Sequence, residues 1–215
     1  MSTTIWRFSA LVFALLVAAC DGSPKFRSTD ITGADYGRSL SLTGHDGKPR
    51  ALEDFRGKVV VLFFGYARCP DVCPTTMVDL AAAMKSLGSD ADRVQVLFVT
   101  LDPARDTREV LAQYVPAFDA RFLGLFGDEE TTRRVAREFR VFHERVEGGA
   151  PGAYTVNHSS QAYVLDPSGR LRLFARHDRL AEDLPADVRT LLAESRGNAA
   201  TKVAPVEGSG RSGNR

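Results

Sequence analysis

Hydrophobic and polar positions divide the chain into an apolar N-terminal run, a long middle of alternating strand and helix signals, and a polar C-terminal tail. The strongest internal element is Lys58–Gly65, KVVVLFFG, whose unbroken apolar content predicts a strand buried on both faces at the centre of a helix-covered sheet. Upstream, Ser39–Leu42 and Arg50–Leu52 flank Gly44-His45-Asp46-Gly47 and predict a hairpin. Downstream, the periodicity predicts a helix over Pro74–Leu87, a strand over Val94–Thr100 and a helix over Thr107–Tyr114, with Asp106 and Glu109 spaced as a capping box. A short strand over Phe122–Phe126 and a helix over Glu129–Phe139 follow. The last elements are a strand over Gln161–Leu165, the turn Asp166-Pro167-Ser168-Gly169, a strand over Leu171–Phe174 and a helix over Leu180–Glu194. This alternation, with no internal repeat and no Gly/Pro/Ser-rich linker, predicts one α/β domain over residues 31–196 with a mixed sheet covered on both faces.

The ends read differently. Arg7 lies in a short polar start, the apolar run extends from Phe8 to Ala19, and small residues lead into Cys20. A run of about a dozen apolar residues is short of the ~20 that a membrane-crossing helix needs, so residues 1–19 read as a signal peptide, with an uncleaved span as the alternative. Val17-Ala18-Ala19-Cys20 resembles a bacterial lipobox, which implies a lipid on the Cys20 thiol and a chain anchored to the bacterial cell membrane, facing the periplasm. Asp21, directly after it, resembles an inner-membrane retention signal of enterobacterial lipoproteins. Residues 20–30 then form the lipidated cysteine and a tether, and residues 197–215 a disordered tail.

Charge narrows the function. The 28 Lys and Arg against 27 Asp and Glu leave a net charge of +1, with the arginines scattered, so there is no electrostatic footprint for a nucleic acid. Three cysteines, Cys20, Cys69 and Cys73, are too few for a disulfide scaffold or a four-cysteine metal site.

Cys69 and Cys73 follow the central strand, at the strand end where open α/β sheets collect their ligands. Each precedes a proline, a position pushed away from helical conformation, so the pair is expected to bracket a loop. Pro74 as the first helical residue would place Cys73 at the N-cap, with the free amides of Thr75 and Thr76 favouring a thiolate there. With three intervening residues, the sulfurs can close a disulfide or hold one soft metal ion. A permanent structural disulfide is the bland alternative, but so short a loop would stabilise the fold little. Two thiolates suit a soft metal ion, and an imidazole would complete such a site, for which His45, His143, His158 and His177 are the four candidates.

The segment Gly65-Tyr66-Ala67-Arg68-Cys69-Pro70-Asp71-Val72-Cys73-Pro74 resembles the Sco/SenC family, copper-binding assembly factors for cytochrome c oxidase with a thioredoxin-like fold. The resemblance extends to Leu52-Glu53-Asp54-Phe55-Arg56-Gly57-Lys58, to Leu101-Asp102-Pro103-Ala104-Arg105-Asp106-Thr107, to Phe122-Leu123-Gly124-Leu125 and to Asn157-His158-Ser159-Ser160. It covers residues 34–195 and implies that His158 is the third copper ligand, joining Cys69 and Cys73. Where thioredoxin-type oxidoreductases place a proline, the stretch Thr155–Ala162 has none, which favours metal binding over general thiol exchange. Ala67 and Arg68 stand where family members often carry polar or hydroxyl residues. Residues 141–156, with Gly148, Gly149, Pro151 and Gly152, read as an inserted hairpin before the histidine loop, mobile enough to let His158 join and leave a metal. Asp71 and Asp102 are candidates to tune the site from outside the ligand set.

The implied function is a copper metallochaperone that delivers to the binuclear centre of cytochrome c oxidase subunit II. Other periplasmic copper chaperones or thiol reductants would be further partners. The competing reading is a periplasmic thiol-disulfide reductase with Cys69 and Cys73 as its redox pair, acting on the cysteines of that centre. A peroxide-reducing enzyme, with Arg68 supporting a thiolate, is a third class.

Overall fold

The computed structural model describes residues 25–203. Among the described residues, ten strands and four α-helices form in the order β1 (Thr29–Asp30), β2 (Ser41–Gly44), β3 (Pro49–Ala51), β4 (Val59–Gly65), α1 (Val72–Leu87), β5 (Val94–Thr100) and α2 (Arg108–Tyr114). They continue with β6 (Leu123–Phe126), α3 (Glu129–Glu138), β7 (His143–Glu147), β8 (Tyr154–His158), β9 (Ala162–Leu165), β10 (Leu171–Ala175) and α4 (Leu180–Val203).

Eight strands make one mixed sheet in the order β1-β10-β9-β4-β5-β6-β2-β3, with β4, β5 and β6 parallel and the other pairings antiparallel. Every residue of β4 is buried, as its apolar run requires of a strand covered on both faces. Alternate side chains point to opposite faces. Phe63 packs with Phe98, which meets Tyr114 of α2, while Phe64 packs with Phe139 at the end of α3 and with Tyr163. The central strand thus joins two apolar layers, and the arrangement is thioredoxin-like.

Three boundaries differ from the sequence reading, each because a long-range contact decided it. The domain begins before residue 31: Thr29 and Asp30 pair with Phe174 and Leu173 as an edge strand, and the amides of Arg27 and Ser28 donate to the Asp187 carboxylate. Part of the expected tether is therefore bound to the domain. At the other end, α4 continues to Val203, past the expected start of the tail at residue 197. The expected capping box at Asp106 is also absent: Thr107 caps α2, accepting from the Val110 amide at 3.4 Å, because the Asp106 carboxylate is committed elsewhere. The expected signal peptide, Cys20 and the last twelve residues lie outside the described residues.

Candidate metal centre

β4 delivers the chain to the site at Gly65, and the next residues turn at once, the Cys69 amide donating to the Tyr66 carbonyl at 3.2 Å. Gly65 is required by close approach, since a Cβ there would lie 3.0 Å from Cys73 Sγ and from Phe98 Cε2. The Ala67 amide donates to Asp106 at 2.9 Å, and the Thr100 hydroxyl donates to the same carboxylate oxygen at 2.6 Å. Asp106, only 1% exposed, thereby ties the cysteine loop to the end of β5.

The cysteines do not bracket a loop as expected. Helix α1 starts at Val72 with Asp71 as its N-cap, so Cys73 occupies the first turn and is fully buried. Pro74 is tolerated at the third helical position because first-turn amides have no intrahelical partner to lose. One of those free amides, that of Cys73 itself, donates to Cys69 Sγ at 3.4 Å. The helix terminus therefore supports negative charge on Cys69, correcting the expectation that it would act on Cys73.

The electrostatics follow this asymmetry. The Cys73 thiol, hydrogen-bonded to Cys69, holds the Cys69 pKa well below the ordinary thiol value against the opposing effect of burial, with the Asp71 and Cys73 amides adding to it. Cys73 moves the opposite way: its bond to Cys69 and its burial both keep its proton in place. Both cysteines are free thiols, Cys69 half-buried and Cys73 fully buried. Burial raises the pKa of Asp106 above the ordinary carboxylate range, with Thr100 and the Ala67 amide opposing.

His158 closes the cluster from β8. Its Nε2 lies 3.4 Å from Cys73 Sγ, and its Nδ1 lies 2.8 Å from the Ser159 carbonyl. A carbonyl only accepts, so Nδ1 carries the proton and Nε2 presents a lone pair, the arrangement usual for a metal-binding imidazole. Phe63 and Tyr66 meet the ring edge-on, at centroid distances of 6.3 and 6.0 Å, which restricts its rotation. One ligand atom each from Cys69, Cys73 and His158 lies within 4.8 Å of the others, and among the described residues no other such group of three or more His, Cys, Asp or Glu forms. Two sulfurs and one imidazole nitrogen are a soft donor set suited to copper. A cleft of about 330 Å³, lined by Cys69, Pro70, Asn157 and His158, opens onto it. A larger cleft of about 460 Å³ borders the other side of the hairpin at His143 and Arg145 and contains none of the three ligands.

The hairpin β7–β8 is the expected insertion, and His158 is the last residue of its second strand rather than a loop residue. It is docked: the Tyr154 hydroxyl donates to Asp102 at 2.7 Å, and Arg105 Nη1 donates to the Tyr154 carbonyl at 3.0 Å. The Tyr154 ring is sandwiched between the guanidinium groups of Arg105, at 3.4 Å, and Arg145, at 3.7 Å. Asp102, which also pairs with Arg105, is thus a support of the hairpin that carries the histidine. Sequence reasoning missed Tyr154 and Arg105, although Arg105 stands in the motif it had singled out.

The remaining histidines are elsewhere. His45, one of the four candidate imidazoles, has a structural task instead, since its Nδ1 accepts from the Gly124 amide at 3.0 Å and joins β6 to the β2–β3 turn. His143 stands across the hairpin from His158 and outside the cluster, and His177 lies in a short 3-10 turn before α4. Asp71 is an N-cap residue whose carbonyl accepts from Thr75.

Comparison with known proteins agrees with this geometry. The SCO1/SenC family model matches residues 28–193. The mouse mitochondrial SCO2 homolog is 36% identical over 156 residues, covering 72% of this chain, and this chain spans 61% of the mouse protein. Among solved structures, Bradyrhizobium japonicum ScoI with copper bound is 34% identical with a TM-score of 0.68, covering 73% of this chain and 99% of that one. Apo Sco1 from Thermus thermophilus is 37% identical with a TM-score of 0.68, covering 79% and 98%. With its two thiols and imidazole gathered at the end of the central strand, the chain belongs to the SCO1/SenC family.

Proposed function

We propose that this protein is a copper metallochaperone that takes up copper on Cys69, Cys73 and His158 and delivers it to the binuclear copper centre of cytochrome c oxidase subunit II. The observation that carries this reading is the convergence of the three ligand atoms within 4.8 Å, with His158 Nε2 left free by the bond of Nδ1 to Ser159. Copper is the cargo here, and each protein group has a task in holding and releasing it. Cys69, half-exposed and biased toward the thiolate, is the sulfur that an incoming ion meets first. Cys73, buried, supplies the second sulfur once its proton is displaced. An acceptor that offers its own thiolates replaces these ligands one at a time, so the ion stays coordinated throughout. Copper binding in the similar ScoI from Bradyrhizobium japonicum supports the choice of metal.

Lipidation of Cys20 belongs to the same proposal and holds the domain at the periplasmic face of the bacterial cell membrane. The test is anaerobic copper loading of the reduced domain, comparing wild type with Cys69→Ser. One copper per chain, lost in the variant, supports the reading. Equal loading of both proteins overturns it.

A second reading rests on the asymmetry of the two thiols. The Cys69 thiolate attacks a disulfide of the oxidase subunit, forming a mixed disulfide and releasing one thiolate; Cys73 then attacks the Cys69 sulfur and releases the second. The target gains two electrons and two protons, and this pair ends as a disulfide. Stoichiometric reduction of a model disulfide by His158→Ala, with Cu(II) binding weakened, would separate the two activities.

A further inference from the structure

The register of the hairpin sets a second imidazole beside the one that faces the thiols. Strand β7 pairs with β8 so that His143 stands opposite His158, Arg145 opposite Val156 and Glu147 opposite Tyr154. The Ser159 amide donates to the Phe142 carbonyl at 3.0 Å, and the Gly148 amide to the Ala153 carbonyl at 2.6 Å, so Phe142–Ser159 and Gly148–Ala153 are hydrogen-bonded pairs of the ladder. Bonded and non-bonded pairs alternate along an antiparallel ribbon, which makes His143–His158 a non-bonded pair. In such a pair the Cα atoms approach to about 4.5 Å and the two side chains leave the same face. The Arg145 guanidinium lies 3.7 Å from the Tyr154 ring on that face, and Val156 between them in register is buried, so the face is the one turned to the domain.

Both imidazoles have one nitrogen spent and one available. Nδ1 of His158 donates to the Ser159 carbonyl, and a ring nitrogen of His143 donates to the Val141 carbonyl. Burial holds the His143 pKa below the ordinary histidine value against that bond, with Arg133, His158 and Arg137 acting in the same direction as burial. Its second nitrogen therefore keeps a lone pair at neutral pH. As the side chains stand, His143 is outside the group formed by Cys69, Cys73 and His158. It is half-buried and borders the cleft of about 460 Å³, which gives its ring room to turn toward His158. The carboxylates bordering that cleft are committed, Asp102 to Tyr154 and Arg105, Asp128 to the Thr131 amide and Glu129 to Arg133. The donor that can join His158 from this side is the second imidazole.

Thiolates select Cu(I), whereas Cu(II) takes nitrogen donors readily in a tetragonal arrangement. We propose that His143 and His158 form a two-imidazole seat for Cu(II), which operates without the thiols and holds the oxidised ion beside Cys69 and Cys73. Two ligands fixed on adjacent strands act as a chelate, because the second attaches at the high effective concentration that the ladder imposes. The seat gives the protein a hold on Cu(II) while the cysteines are joined as a disulfide and neither sulfur is a thiolate. It stands on the hairpin register and does not depend on delivery of copper to an oxidase.

The test uses the full, tag-free chain carrying Cys69→Ser and Cys73→Ser, titrated with Cu(II) against a competing chelator, with pulsed EPR counting the imidazoles on the bound ion. One Cu(II) per chain with two coordinated imidazoles is expected. Adding His143→Phe is expected to leave one imidazole and to weaken binding by about tenfold or more. Wild type with its cysteine pair oxidised, verified by mass spectrometry, repeats the measurement without the serine substitutions and should behave alike. Melting profiles matching the parent establish that His143→Phe is folded, and His143→Asn gives a second, polar replacement. In reduced wild type, anaerobic Cu(I) loading should be the same with and without His143→Phe. Absence of Cu(II) from the parent, a single imidazole on it, or an imidazole count and affinity unchanged by both replacements overturns the seat. Loss of Cu(I) loading as large as that of Cu(II) also overturns it, since the substitution would then act by disturbing the hairpin.

Discussion

His158 Nε2 lies 3.4 Å from Cys73 Sγ although 84 residues separate the two in the chain, and this contact joins the hairpin β7–β8 to the first turn of α1. Removing the imidazole leaves both sulfurs in place. His158→Ala should therefore weaken Cu(II) binding by at least about tenfold, because Cu(II) favours imidazole, and affect Cu(I) binding less. Competition titrations with chelators of each oxidation state measure the difference, and equal losses for both ions would contradict it.

Cys69 and Cys73 should react very differently with an alkylating agent. The lowered pKa of Cys69 keeps it a thiolate below the pH range where ordinary thiols titrate, so its rate should stay nearly flat from pH 6 to 8, whereas a free thiol of pKa ~8.5 gains almost tenfold per unit. Cys73, buried and holding its proton, should remain unmodified in the native protein. Peptide mapping after timed alkylation reads both, and preferential modification of Cys73 would contradict the assignment.

Gly65→Ala inserts a Cβ where 3.0 Å is available to both Cys73 Sγ and Phe98. Overpacking of this kind costs about 1–3 kcal/mol, and here it also displaces a ligand sulfur. The expected result is a lower melting temperature together with weaker copper binding. Wild-type values for both would show that the loop yields freely.

Tyr154→Phe removes the hydroxyl bound to Asp102 but keeps the ring between Arg105 and Arg145. A buried acceptor left without its donor costs about 1–3 kcal/mol. Its effect should be local, as faster hydrogen exchange of the β7–β8 amides and broadened spectroscopic features of bound Cu(II), with Cu(I) binding close to normal. Unchanged exchange would show that the aromatic sandwich alone positions the hairpin.

Acid stability should depend on Asp166. Burial pushes its pKa up, but the Ser168 hydroxyl and the Arg170 guanidinium and amide outweigh this and hold it below the ordinary carboxylate value. A carboxyl lowered in the folded state contributes stability above its unfolded pKa of ~3.9, and this contribution is lost as pH falls through the folded value. Asp166→Asn should lower the urea midpoint at pH 7 and flatten its decline toward pH 3. A parallel decline in both proteins would contradict it.

The sequence by itself determined the central strand, the alternation of strands and helices, and the importance of Cys69 and Cys73, because all of these are carried by neighbouring residues: an unbroken apolar run, 3.6-residue periodicity, two sulfurs four positions apart. The third ligand could be named only through resemblance, since nothing in residues 155–160 records what lies beside them in space. Which sulfur becomes the thiolate was decided by tertiary structure, because the free amide of Cys73 reaches Cys69 only once α1 begins at Val72. Asp106 reads locally as a cap and Arg27 as part of a tether, yet each gained a stronger partner from a distant segment, in the Ala67 amide and in Asp187. Local propensities are worth tenths of a kcal/mol to about one, and a buried hydrogen bond or a strand pairing made on folding outweighs them.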